Sequence, residues 1–167
     1  MFQITQCLSV GPFASPERAA RLLSAGITHV LNVSDAPSAI SPAVGFAEVV
    51  DVPMHDSQRL PAFTMVWALD TLHRMVSVPD AHVYVHCMAG QLRSPTILWL
   101  YLIALGIPPE DARDWIEERS PDAVAGHPRM VDHEHILFAQ KHGLANFFPH
   151  PRPEIIVPFP IPEDWEE

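Results

Sequence analysis

Cationic side chains are scarce in this chain: ten Lys and Arg stand against twenty Asp and Glu, a formal charge of −10. Nucleic-acid binding rests mainly on Lys and Arg neutralising phosphates, so no nucleic acid is expected as a partner. An anionic membrane surface is disfavoured for the same reason. Long apolar runs are lacking too. The densest, Thr96 to Leu105, is about half the length a membrane span needs, and Met1 to Gly11 has neither the basic start nor the long apolar core of a secretory signal. These features predict a cytoplasmic protein. Cysteine is the third scarcity, with only Cys7 and Cys87. A reducing cytosol makes a structural disulfide between them unexpected. Cys7 reads as a core residue; a role as resolving partner for an oxidised Cys87 would require the two to be adjacent in space. Cys87 needs a reason of its own, as a small core residue or as a reactive group.

What is present is a packed globular composition, 48% hydrophobic and 18% charged over 167 residues, enough for one full-sized domain. "FASPERAARLLSAGI" carries a helix N-cap at Ser15, Pro16 at the first helical position and Gly26 as a stop. "THVLNVS" (Thr28–Ser34), "AEVVDVPM" (Ala47–Met54) and His82–His86 read as strands. Met65, Val66, Leu69, Leu72 and Val76 fall three or four apart, one apolar helical stripe. A buried helix is predicted over Pro95–Leu105, and "PPEDARDWIEER" and "RMVDHEHILFAQKHG" read as two more, separated by the loop "SPDAVAGHP". Trp67, Trp99 and Trp115 sit at apolar helical positions and are expected in the core. Strands alternating with helices predict a single α/β domain with a central, mainly parallel sheet flanked by helices. From Pro149 the texture changes, with six prolines in nineteen residues. The expected organisation is a domain over 1–148 and a proline-rich tail over 149–167, without regular structure, lying on the surface as a strap or partly disordered.

One loop stands out. "HCMAGQLRS", His86 to Ser94, joins a predicted strand to a predicted helix. Such a loop turns several backbone N–H groups towards one point, and the helix behind it adds roughly half a positive charge. An anion fits there. Gly90 suits close backbone approach, and Arg93 supplies a planar fork able to grip two oxygens of one phosphate or sulfate. The same field favours the thiolate form of Cys87. A thiolate beneath a bound phosphoryl group is placed for in-line attack, giving a cysteinyl-phosphate that water hydrolyses. Ser94 can donate its hydroxyl to the sulfur and assist its departure.

The segment "VHCMAGQLRSPT" resembles the signature of the cysteine-dependent protein tyrosine phosphatases, H-C-x5-R-[S/T]. It is most similar to the dual-specificity branch, whose loops typically read H-C-x-A-G-x-S-R-S. "GITHVLNVS" resembles an early strand of that branch and "SPTILWLYLIAL" its central helix, so the resemblance covers most of residues 1 to 145. It implies Cys87 as nucleophile, Arg93 as phosphate ligand, a phosphate loop of Met88, Ala89, Gly90, Gln91 and Leu92, and His86 as a supporting residue that orients the loop. Leu92 departs from the family, which has a small polar residue there, and makes the pocket rim more apolar. The family also has an acidic residue on a separate loop roughly thirty residues before the cysteine, acting as general acid. Asp56 stands at that distance, in "VPMHDSQRLPAF". Asp51 is the competitor, less free to move because it lies inside an apolar strand.

The implied activity is hydrolysis of phosphotyrosine, and of phosphoserine or phosphothreonine, in a phosphoprotein or phosphopeptide, with no cofactor. A phosphoinositide or nucleotide phosphatase is the alternative within the chemistry. Such enzymes usually add basic residues to the loop, whereas Met88, Gln91 and Leu92 are neutral. Two further classes are a sulfur-transfer enzyme, which would not need His86, Ser94 or a distant acid, and a non-catalytic phospho-ligand module, which would often lose the nucleophile. Ten histidines invite a metal reading, above all "DHEH" at Asp132–His135. His133 and His135 are two apart and so do not share a helix face, and no H-E-x-x-H or C-x-x-C occurs, so no metal site is assigned. His127 and Arg129 read as a solvated loop that could border the site.

Overall fold

A computed structural model describes residues 1–161. Five strands form one sheet: β1 (Phe2–Thr5), β2 (Leu8–Gly11), β3 (His29–Asn32), β4 (Glu48–Asp51) and β5 (Val83–His86). Their spatial order is β1-β2-β5-β3-β4. The pairs β2–β5, β5–β3 and β3–β4 are parallel, and β1 is an antiparallel edge strand on β2. Five helices complete the α/β domain: α1 (Pro16–Ser24), α2 (Ala62–Val76), α3 (Arg93–Ala104), α4 (Pro109–Arg119) and α5 (His133–Asn146). Alternation along the strands divides the core. Val30 and Tyr84 face Leu22 and Ile27 beside α1, while Leu31, Val83 and Val85 face Leu69, Leu72 and Leu98 on the other side, the period-2 consequence of the pleat. All twelve residues of α3 are buried, as a helix apolar all round its surface requires.

Local chemistry sets the boundaries. Ser15 caps α1 by accepting the Arg18 N–H, with Pro16 in the first turn. Helix α3 starts two residues before the predicted Pro95, which places Arg93 and Ser94 in its first turn. Helix α5 starts only at His133, because Asp132 and His135 form a reciprocal capping box there. The β1–β2 hairpin is not foreseen in the sequence. Its turn, Gln6-Cys7, carries none of the Asn-Gly or Gly-X chemistry that usually marks one.

Two expectations need correction. Trp99 is buried and Trp115 packs partly against the core, but Trp67 is 41% exposed. It lies on the outer face of α2 beside Phe63, their ring centroids 6.4 Å apart, while Met65, Leu69, Leu72 and Val76 take the inner face. The tail, expected without regular structure, contains a 3-10 turn over Pro153–Ile156, with Ile155 in the main core. Beyond it, Gln6 N–H donates to Val157 O (3.1 Å) and Phe159 N–H to Ile4 O (2.9 Å), so this strap covers the β1 edge, which would otherwise present unpaired donors and acceptors. Arg152 fixes its start by donating to the carbonyls of Val76, Val78 and Ala81. The last part of the predicted tail, 162–167, lies outside the described residues.

Candidate functional site

The phosphate-loop candidates lie at the carboxyl end of β5, between the central strand of a parallel sheet and its most buried helix, where ligands of open α/β sheets gather. Cys87, Met88, Ala89, Gln91, Leu92 and Arg93 line one small pocket of about 90 Å³, and Asp56, from a separate loop, lines it too. The loop's carbonyls point away into the scaffold: Met88 O accepts from Phe13 N–H (2.9 Å) and Gln91 O from Val124 N–H (2.7 Å). Its amides are not used that way. Among the described residues, none of the backbone N–H groups from Met88 to Arg93 donates to a protein acceptor, and Leu92 at the N-cap of α3 gives no side-chain cap. Uncommitted donors at a helix N-terminus are groups able to receive an anion.

Cys87 is 3% exposed, with Ser94 Oγ 3.3 Å from its Sγ. His86 is buried behind the loop and its Nδ1 donates to Cys87 O (3.1 Å). Burial pushes the His86 pKa down to about 4, so the ring is neutral at pH 7 and holds the loop by a hydrogen bond without a charge. Phe13 packs edge-on against His86, with centroids 5.0 Å apart. Leu92 both lines the pocket and packs against the core, which accounts for an apolar residue at a position the family keeps polar.

Gly90 has φ +75°, and a Cβ there would lie 2.5 Å from the carbonyl carbon of Gly11. Backbone meets backbone, so nothing flexible can yield. Gly90→Ala is therefore expected to distort the loop more than the fold, lowering kcat/KM for an aryl phosphate by about tenfold or more while costing ~1–3 kcal/mol of stability. Steady-state kinetics beside a thermal melt check this; wild-type turnover would show that the loop does not need this close approach.

Arg93 reaches across the pocket with its side chain 5% exposed. Its Nη1 donates to Met54 O (3.1 Å) and to Asp35 Oδ1 (3.0 Å), leaving Nε and Nη2 without a protein acceptor among the described residues. The Arg93 guanidinium holds the Asp35 carboxyl below the usual carboxylate range. Asp35 was not found from the sequence. The available signal was its place just beyond the carboxyl end of β3, on the same rim as the loop after β5.

The two acid candidates differ in commitment. Asp51, the last residue of β4, accepts from Asn32 Nδ2 (3.2 Å), Ser38 N–H (3.2 Å) and Ser38 Oγ, which ties it to the loop after β3. Asp56 is exposed on its loop, with only a 3.5 Å contact to Ser57 Oγ. His127 and Arg129 do not line the pocket; Arg129 N–H donates to His127 Nδ1 within their own loop. Cys7 is buried in the core, and burial pushes its thiol up to about 11. Its carbonyl accepts from Val83 at the start of β5, whereas Cys87 follows His86 at the end. Leu8 pairs with Val83, so Cys7 is in register with His82 and Cys87 lies five strand positions on, about 16 Å away, beyond the ~4.4–6.8 Å between the Cα atoms of a disulfide. The resolving role is thereby removed.

Known proteins are similar to this chain in sequence and in fold. Dual specificity protein phosphatase 26 of Homo sapiens and of Mus musculus is 39% identical over 87 residues, 47% of this chain and 39% of the relative. The match thus spans about two fifths of those relatives' length. Among solved structures, PTPMT1 superposes with a TM-score of 0.71 at 20% identity, covering 87% of this chain and 97% of that one. Human DUSP28 gives 0.65 at 21%, covering 87% and 96%. PTPMT1 has also been solved in complex with PI(5)P, with a TM-score of 0.70 at 19% identity, covering 86% and 96%. At such identities these structures speak for the fold alone. The family is shown by the sequence model described as "PTP-SAK: Swiss Army Knife protein, DSP-PTPase phosphatase domain", which matches residues 7–135: with strands β2 to β5, helices α1 to α4 and the loop after β5 inside that span, the chain belongs to the dual-specificity branch of the cysteine-dependent phosphatases.

Proposed function

We propose that this protein hydrolyses phosphomonoesters on protein side chains, phosphotyrosine first and phosphoserine or phosphothreonine besides, through a cysteinyl-phosphate. The observation that carries the reading is the run of uncommitted amides from Met88 to Arg93 in the loop that lines one pocket with Cys87. Three non-bridging oxygens of a phosphoryl group are received by these N–H groups and by the Nε and Nη2 of Arg93. Cys87 attacks phosphorus as the thiolate; the S–P bond forms and the P–O bond to the leaving group breaks. Asp56 gives its proton to the departing oxygen. In the second step Asp56 takes a proton from water, the water oxygen attacks phosphorus, and the S–P bond breaks with Ser94 donating a hydrogen bond to the sulfur. No cofactor enters.

Charge around the pocket supports a singly phosphorylated group on a neutral or basic carrier. Met88, Gln91 and Leu92 add no cation beside Arg93, and the Arg93 guanidinium is itself paired with the Asp35 carboxylate. A polyanionic headgroup would meet one guanidinium already partly neutralised. Among the described residues no helix is long and apolar enough to cross a membrane. The test is turnover of a small aryl phosphate, followed by equal panels of phosphotyrosine, phosphoserine and phosphothreonine peptides and of phosphoinositides. The expected order places phosphotyrosine peptides first by kcat/KM. Preference for a phosphoinositide, the ligand class solved in PTPMT1, would replace the protein substrate while leaving the chemistry in place.

A further inference from the structure

The "DHEH" segment set aside as a metal motif has a different occupation. His135 is buried at the third position of α5, where its Nδ1 accepts the Asp132 N–H (3.1 Å) and completes the capping box. That bond assigns the ring proton to Nε2, which donates to Leu60 O (2.8 Å). Leu60 N–H in turn donates to Met130 O (2.8 Å). Arg59 adds two ion pairs from the same loop, Nη1 to Asp132 and Nη2 to Glu134 (3.3 Å). All four contacts join the end of the loop that carries Asp56 to the start of α5. At its other end the loop meets the catalytic pocket, where Met54 O accepts from Arg93.

We infer that the N-terminus of α5 is the fixed post of the proton-donor loop, and that His135 and Arg59 are positioning residues which hold Asp56 at the leaving-group side of the pocket. The inference rests on the reading of Asp56 as general acid. Its logic is geometric. Asp56 is exposed and has little of its own to hold it, so its placement comes from the backbone that carries it. That backbone is fixed four residues away, at Leu60, by two hydrogen bonds to the segment around α5. The Arg59 pairs are solvent-exposed and contribute little to stability, so their consequence is where the loop sits. Misplacement by about 1 Å can cost ~10²-fold in rate.

His135→Glu separates this role from helix capping, because Glu at that position is itself a capping-box residue but its carboxylate has no proton to donate to Leu60 O. Arg59→Gln removes the ion pairs without touching the pocket. Both variants are measured on phosphotyrosine, whose phenoxide needs the proton, and on p-nitrophenyl phosphate, whose leaving group departs without it. Expected is a fall in kcat of about tenfold on phosphotyrosine, less than about twofold on the nitrophenyl ester, and no further fall when either change is added to Asp56→Asn. Arg59→Lys should recover part of the loss by restoring the charge. The inference is overturned if both substrates slow equally, or if the losses persist in the Asp56→Asn background. It is also overturned if His135→Glu and Arg59→Gln match wild type while Asp56→Asn alone is impaired, which would leave the acid itself standing. Should Asp56→Asn spare phosphotyrosine turnover, the acid assignment and this inference fall together.

Discussion

Cys87→Ser is expected to lower aryl-phosphate kcat by about 10⁴-fold or more, the scale on which losing a covalent nucleophile acts, with the fold unchanged. Serine is nearly isosteric, and the site is buried with Ser94 Oγ 3.3 Å away, so packing is preserved and a hydroxyl finds a hydrogen-bond partner. The rate collapses because a neutral serine hydroxyl is a poor nucleophile beside the sulfur it replaces. The amides of the loop and the Arg93 fork are untouched, so phosphopeptide affinity should persist. That combination separates an enzyme from a binding module: the module would bind equally well before and after the change and turn over nothing in either form. Rapid-quench turnover with isothermal titration on the same preparations reads both. Wild-type-like hydrolysis by the variant would sink the cysteinyl-phosphate mechanism.

The strand-to-helix loop that carries Cys87 was legible in the sequence because its determinants are local. Gly90, Arg93 and the strand-to-helix transition fall within nine residues, and chain geometry alone brings them to one point. The layers were legible for a related reason: the β-formers of His82–His86 read as a strand, and the three-or-four spacing of Met65, Leu69, Leu72 and Val76 states which face of α2 is buried. Contacts between segments distant in the chain were not legible. Asp35 meets Arg93 across 58 residues and His135 meets Leu60 across 75, and no spacing rule encodes either pairing. Trp67 misled because an aromatic at a helical position carries the same apolar signal whichever side of α2 it occupies. The distance between Cys7 and Cys87 could be read only once β2 and β5 were known to run parallel, since that register fixes them at opposite ends of the sheet.

Asp56→Asn should cut kcat on phosphotyrosine by about 10²-fold or more, the usual scale of general acid catalysis, and should slow p-nitrophenyl phosphate far less. The asymmetry is the diagnostic. Asparagine keeps the shape of the side chain and removes only the transferable proton, so a leaving group that departs as a stable anion loses little, whereas phenoxide must leave without neutralisation. Asp51→Asn predicts the contrary pattern. Its carboxylate accepts from Asn32 and from two groups of Ser38, so the amide weakens those hydrogen bonds, costing ~1 kcal/mol of stability, while the dependence of rate on leaving group stays as in wild type. A series of aryl phosphates of graded leaving-group acidity, run on both variants, resolves the two. A steeper dependence in Asp56→Asn and an unchanged one in Asp51→Asn assigns the proton to the loop that His135 and Arg59 hold. The reverse would move it to the end of β4, where the thiolate of Cys87 could still act as nucleophile but the leaving group would be served from the Asp35 side of the pocket.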